Sequence, residues 1–134
     1  MRALVYISGH GFGHAARTTQ VVNALVDIEP SIEVWIRTGV PEWFLRASLR
    51  TPAHLLPGTV DTGVVQPDSL SIDERGTARR AAAFYADVET HVAREADLVR
   101  ALAPDVVVAD IPPVAFAAAR SEEHTSELQS LAYL

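Results

Sequence analysis

Residues 2–17 read RALVYISGHGFGHAAR, and this stretch decides the fold. Leu4, Val5, Tyr6 and Ile7 form a short apolar run closed by Ser8-Gly9, the pattern of a strand buried in a parallel sheet. Three glycines then fall within five residues, at Gly9, Gly11 and Gly13. Behind them Val21, Val22, Leu25 and Ile28 recur at helical spacing, which predicts a helix from about Gly13 to Ile28, ended by Pro30. A strand, a glycine loop and a helix in that order make the opening unit of an α/β sheet.

The rest of the chain extends this unit. Ser31 to Arg37 alternates Ile32, Val34 and Ile36 with Glu33, Trp35 and Arg37, the period of a half-covered strand. Pro41 suits the first turn of a short helix running through Leu45. Leu55-Leu56 and Val60 to Val65 are two weaker strand candidates separated by Pro57-Gly58. Ser71-x-x-Glu74 reads as a capping box. Behind it Ala81, Tyr85, Val88, Val92, Ala96, Val99 and Leu102 form one apolar stripe. Together they predict a single long helix from about Asp73 to Ala103, weakest at Gly76 and ended by Pro104. Val106, Val107 and Val108 give the most strand-like segment, followed by Asp110 and by a Pro112-Pro113 pair that opens another helix. The order β, α, β, α, β, β, α, β, α predicts a Rossmann-like α/β fold, a mostly parallel sheet with helices on both faces. In such folds ligands sit beyond the carboxyl ends of the strands. That edge should collect the Ser8 to His14 loop, Arg37 to Gly39, Gln66 to Ser71, and Asp110 to Pro113.

Composition narrows the function classes. A chain of 134 residues with 49% hydrophobic content has room for about one domain with a real core. The net charge is −6, and all eleven cationic side chains are arginines. An acidic chain without a basic run is a poor binder of nucleic acid or anionic membranes. With no cysteine there is no disulfide framework and no thiolate metal site, and the histidines lack metal-ligand spacing, so no metal and no cofactor is expected. The first apolar run, Ala3 to Ile7, is far too short for a signal core or a transmembrane segment, which makes the cytoplasm the expected location. From Arg120 the chain reads RSEEHTSELQS, which resembles a translated sequencing-library adapter, and the composition breaks there from small apolar to polar residues. We therefore expect a domain over residues 1–119 and a non-native tail over residues 120–134, without which ten positive and fourteen negative side chains remain.

The glycine loop is the strongest chemical signal. Glycines let the backbone approach a ligand, and the N–H groups and dipole of the helix start favour an anion such as a phosphate. A tight turn with no ligand is the plainer alternative. A P-loop requires Gly-Lys-[Ser/Thr], which a chain without lysine cannot supply. The dinucleotide fingerprint wants Gly or Ala where His14 stands and an acidic residue where Arg37 and Thr38 stand, so an NADP-binding domain survives only through Arg37.

Gly9 to Arg17, together with PDVVVADIPPVAFAAA from Pro104 to Ala119, resemble GT-B glycosyltransferases, the fold of the UDP-glycosyltransferases and of the peptidoglycan N-acetylglucosaminyltransferase. A GHGFGHA loop and a segment like DTGVVQPDSLSID, Asp61 to Asp73, also resemble the glycosyltransferase-like domain of L-arabinokinases. The resemblance implies the N-terminal, acceptor-binding half of a GT-B enzyme that moves a sugar from a nucleotide sugar to a hydroxyl acceptor. It further implies that a second half, which holds the nucleotide sugar, is missing here and that the fragment is inactive alone. The alternative it allows is a non-catalytic binding domain preceding a sugar kinase.

Many of those enzymes place a Gly-His pair after the first strand and set an aspartate against that histidine. The resemblance therefore makes His14 the candidate base and Asp110 its orienter. The chemistry suits them, since an acceptor hydroxyl must lose its proton and a carboxylate fixes the imidazole tautomer. His10, on the same loop, is an alternative base, and packing or helix capping is an alternative role for His14. Position 17 is Arg where the UDP-glycosyltransferase motif usually reaches a proline. Arg17, one turn into the first helix, could bind a phosphate or a carboxylate, with a solvated arginine as the plainer alternative. With Gly9, His10, Gly11, Gly13, Gln66 and Asp68 it completes the candidate substrate-binding set. Trp35, Trp43 and Phe44 read as core or rim packing rather than as a sugar platform.

Overall fold

The computed structural model describes residues 1–68 and 70–121. Its elements run β1 (Arg2–Ile7), α1 (Phe12–Ile28), β2 (Glu33–Thr38), α2 (Glu42–Ser48), β3 (His54–Pro57), α3 (Glu74–Ala86), α4 (Val88–Leu102), β4 (Val106–Asp110) and α5 (Pro113–Ser121). The four strands form one sheet in the order β3-β2-β1-β4, and every pairing is parallel. The chain steps outward from β1 to β2 and β3, then crosses back to add β4 on the other side of β1. Strand order thus reverses between β1 and β4, and in open parallel sheets such a reversal leaves a crevice at the carboxyl ends.

Alternation along the strands builds two cores, one on each face. Ala3, Val5 and Ile7 of β1 join Val34 and Ile36 of β2 beneath Ala15 and Val22 of α1 and Leu45 of α2. Leu4 and Tyr6 point the other way and meet Val107, Ala109, Ala96 and Val99 of α4, and Val114, Ala115, Ala118 and Ala119 of α5. The Rossmann-like expectation therefore holds, with helices on both faces.

Three local expectations fail, each for an identifiable reason. Val60 to Val65 forms no strand, and at its end the backbone of Val65 is claimed by the start of α3. Asp73 N–H donates to Val65 O at 2.8 Å, and Val65 N–H donates to Thr77 Oγ1 at 2.9 Å. The capping residue of α3 is Asp73, which accepts from Gly76 N–H at 2.8 Å, whereas Ser71 gives its hydroxyl to Asp68 at 3.0 Å. The long helix divides at Asp87, whose φ of −116° and ψ of 23° leave helical geometry. Phe84 and His91 stack across that break at 4.4 Å, and Phe84 belongs to the same core as Ala96 and Val99. Of the expected foreign tail, only Arg120 and Ser121 belong to the described residues, both within α5.

One buried ion pair fastens α4 to the sheet. Glu95 is 1% exposed, and Arg37 donates to its carboxylate through Nη2 at 2.8 Å and through Nε at 3.1 Å. The buried Tyr6 hydroxyl donates to Glu95 Oε2 at 3.2 Å. Burial first, and then the Glu95 charge, push that hydroxyl well above the usual tyrosine range. Breaking a buried pair from one side leaves an uncompensated charge. Glu95→Ala should therefore cost about 3–5 kcal/mol in a denaturant titration. A loss under about 1 kcal/mol would mean that water already screens Arg37.

Candidate active site

The last residues of β1 and β4, Ile7 and Asp110, are register partners across the reversal point. After β1 the loop turns at Gly11, with φ of 75°, and α1 begins at Phe12. His14, Arg17 and Thr18 lie three and four residues apart, so they share one helix face, and that face meets the end of β4. His14 Nδ1 stands 3.0 Å from Asp110 Oδ2. The Thr18 hydroxyl donates to the same oxygen at 3.1 Å. Arg17 Nη2 lies 3.4 Å from each carboxylate oxygen and 3.1 Å from His14 Nδ1. The Asp110 side chain is 5% exposed and the His14 side chain 30%. The ring thus keeps its Nε2 edge available, while Nδ1 faces the carboxylate.

Asp110 is followed by a backbone anomaly. Ile111 has φ of 80°, in the left-handed region that β-branched residues avoid, and its side chain is largely exposed. Such a conformation costs on the order of 1–3 kcal/mol and persists only where the surroundings impose it. Here it turns the chain sharply from β4 toward Pro112-Pro113 just after the carboxylate is delivered. Nothing in the sequence signals it.

His10 takes a different position from His14. Its Nε2 points inward, 3.3 Å from Asp61 O and 3.6 Å from the buried Asp61 carboxylate. Its ring lies directly on Gly63, where an added Cβ would fall 2.0 Å from Cγ. His10 therefore ties the glycine loop to the segment after β3. Asp61 was missed from the sequence, because no local pattern links the two positions. Asp68 uses its carboxylate within its own loop, accepting from Leu70 N–H at 2.8 Å and from the Ser71 hydroxyl, and these bonds hold its pKa below the usual value. Gln66 is exposed, and no hydrogen bond joins it or Asp68 to the His14 cluster. Arg37, the residue that kept an NADP reading open, is spent on Glu95.

The aromatic residues divide. Trp35 is half-buried and stacks on His54 at 4.1 Å. Phe44 is packed against the α1-side core and stacks with Phe12 at 4.7 Å. Trp43 lies at the rim, 64% exposed, with its ring 5.7 Å from those of Phe12 and Phe44. Among the described residues there is no group of three metal-ligating side chains, and no helix is long and apolar enough to cross a membrane.

No protein-family model matches the chain. L-arabinokinase of Arabidopsis thaliana is 34% identical over 122 residues, spanning 85% of this chain and 11% of the arabinokinase. The chain therefore corresponds to a small part of that relative. The crystal structure of a UGT transferase from Siraitia grosvenorii in complex with UDP superposes with a TM-score of 0.54 at 14% identity, covering 90% of this chain and 26% of that one. Homology and fold together support a GT-B glycosyltransferase-like domain.

Two of the three clustered glycines have separate physical reasons. Gly9 lies against Gly39, where a Cβ would meet Gly39 Cα at 3.2 Å, so it permits close approach of the loops after β1 and β2. Gly11 supplies the positive φ at the start of α1. Gly13 has neither need, since it sits within α1 and a Cβ there would meet nothing within 4 Å. A glycine inside a helix costs roughly 0.5–1 kcal/mol relative to alanine. Gly13→Ala should raise stability by about that amount on thermal melting. A loss of stability would reveal a constraint from the fold and remove the case for open backbone at a ligand.

Proposed function

We propose that this chain is the acceptor-side portion of a glycosyltransferase that moves a sugar from a nucleotide sugar to a hydroxyl, with His14 as the base. The observation carrying this reading is the 3.0 Å approach of His14 Nδ1 to the buried Asp110 carboxylate, across the point where strand order reverses. With Nδ1–H donating to Asp110, the lone pair on Nε2 is free to take the acceptor's proton. The acceptor oxygen then bonds to the anomeric carbon of the donor sugar as the nucleotide diphosphate leaves with the bonding electrons. Asp110 holds the ring in place and offsets the charge of the imidazolium. His10, with Nε2 turned to Asp61, serves as an anchor for the loop, and no metal or cofactor takes part in this scheme. Residues 1–119 form the domain, residues 120–134 are foreign to it, and the protein works in the cytoplasm.

The nucleotide sugar would be held by a second half of the enzyme, and this chain spans 26% of the UDP-bound neighbour. The fragment would accordingly be inactive alone. A second reading rests on the similarity to L-arabinokinase, in which this portion is a non-catalytic glycosyltransferase-like binding domain ahead of a sugar kinase.

The two readings separate in one experiment on the product of the uninterrupted reading frame, assayed for transfer from UDP-sugars to a panel of hydroxyl acceptors and for sugar phosphorylation. The first reading expects transfer that falls about 10²- to 10⁴-fold in His14→Ala, with a comparable loss in Asp110→Asn. Phosphorylation without transfer, unchanged by either substitution, would establish the second.

A further inference from the structure

The contacts around His14 contain a conflict that the base reading alone does not explain. Nδ1 lies 3.0 Å from Asp110 Oδ2 and 3.1 Å from Arg17 Nη2. A neutral imidazole carries one N–H. Toward the carboxylate Nδ1 must donate, whereas toward a guanidinium, which has only donors, it must accept. The two hydrogen bonds belong to opposite tautomers and exclude each other.

We propose that Arg17 is a positioning residue that gates the tautomer of His14. With the guanidinium docked, Nδ1 accepts from Arg17 and the proton resides on Nε2, so the ring presents an N–H to a ligand and cannot take a proton from it. With the guanidinium swung away, Nδ1–H donates to Asp110 and Nε2 presents its lone pair. The catalytic meaning of the gate rests on the reading of His14 as base, although the gate itself does not.

Two observations favour the docked state in the resting molecule, and a third lets the gate open. Asp110 Oδ2 already receives the Thr18 hydroxyl at 3.1 Å, and Arg17 Nη2 lies 3.4 Å from both carboxylate oxygens, so the carboxylate is compensated without the imidazole proton. A protonated Nδ1 would stand 3.1 Å from a cationic donor, whereas an unprotonated one stands 3.0 Å from a carboxylate oxygen, an acceptor–acceptor contact that the guanidinium, within reach of both, offsets. The Arg17 side chain is also 54% exposed, so it can leave for solvent at little cost and the gate can open. Among the described residues, the ring meets Arg17 from α1 and Asp110 from β4, and Thr18 of α1 reaches the same carboxylate.

The test is imidazole ¹⁵N NMR on this chain labelled at histidine, at a pH high enough that the rings are neutral, with His14 identified by its loss in His14→Gln. Protonated and unprotonated ring nitrogens resonate far apart, so the spectrum reports the tautomer ratio directly. The native chain should show mainly Nε2–H. Arg17→Met, which keeps the alkyl stem and removes the donors, should move the ratio toward Nδ1–H by roughly tenfold. Adding Asp110→Asn to Arg17→Met should reverse much of that shift, because the carboxylate acceptor is then gone. A native ring already held as Nδ1–H, or a ratio unmoved by Arg17→Met, would overturn the gate. Absence of transfer activity would leave this ratio where it is, so the gate and the base reading fail separately.

Discussion

The Asp110 carboxylate is the constraint from which the site follows. Removing a carboxylate from water costs several kcal/mol unless charge and hydrogen bonds compensate it, and this one is 5% exposed at the end of a strand. Its side-chain partners, His14, Arg17 and Thr18, all come from the first two turns of α1. Seating α1 on the sheet and assembling the site are therefore one event. A face of three polar residues at helical spacing replaces the apolar contact expected where a helix begins over a buried strand end. That contact also fixes which imidazole nitrogen faces inward.

A second buried carboxylate plays a different part. Glu95 is held from β1 and β2 by Tyr6 and Arg37, and it joins the long α3–α4 crossover to the centre of the sheet. That crossover brings the chain from β3 to β4, beyond β1, and so creates the strand reversal at which Asp110 and the glycine loop meet. A cavity of about 350 Å³ lies beside Glu95 and Arg37, lined also by Leu56, Pro57, Arg94 and Leu98. It contains none of the residues of the His14 cluster. Its charged groups are engaged in the ion pair, so it reads as imperfect packing around a structural link.

Much of this was legible in the sequence, for reasons that also explain the errors. Strands buried on one or both faces leave period-two or continuous apolar patterns, and β1, β2 and β4 followed from them. The apolar stripe from Ala81 to Leu102 suggested one helix because periodicity records which face is buried and not whether the helical backbone is continuous through Asp87. Val60 to Val65 has the composition of a strand, but Val65 bonds to the start of α3 and Asp61 O meets His10, a competition that composition cannot register. Ser71 and Asp73 are both acceptable caps, and the choice turned on Asp68, which takes the Ser71 hydroxyl. In the site, a distance of 96 residues separates His14 from Asp110, so their pairing came from family resemblance and not from spacing. The sequence leaves Arg17 either solvated or bound to a phosphate or a carboxylate; its side chain is 54% exposed, and the carboxylate beside it is the protein's own. Thr18 needed only the helical spacing from His14 and was overlooked.

The most direct measurement of the central claim is a double-mutant cycle in folding stability, combining His14→Ala with Asp110→Asn in this chain. Residues sharing one buried hydrogen-bonded cluster couple by about 0.5–3 kcal/mol, and that is the expected interaction energy here. Changes that add to within about 0.3 kcal/mol would place the two side chains outside a common network and contradict the account.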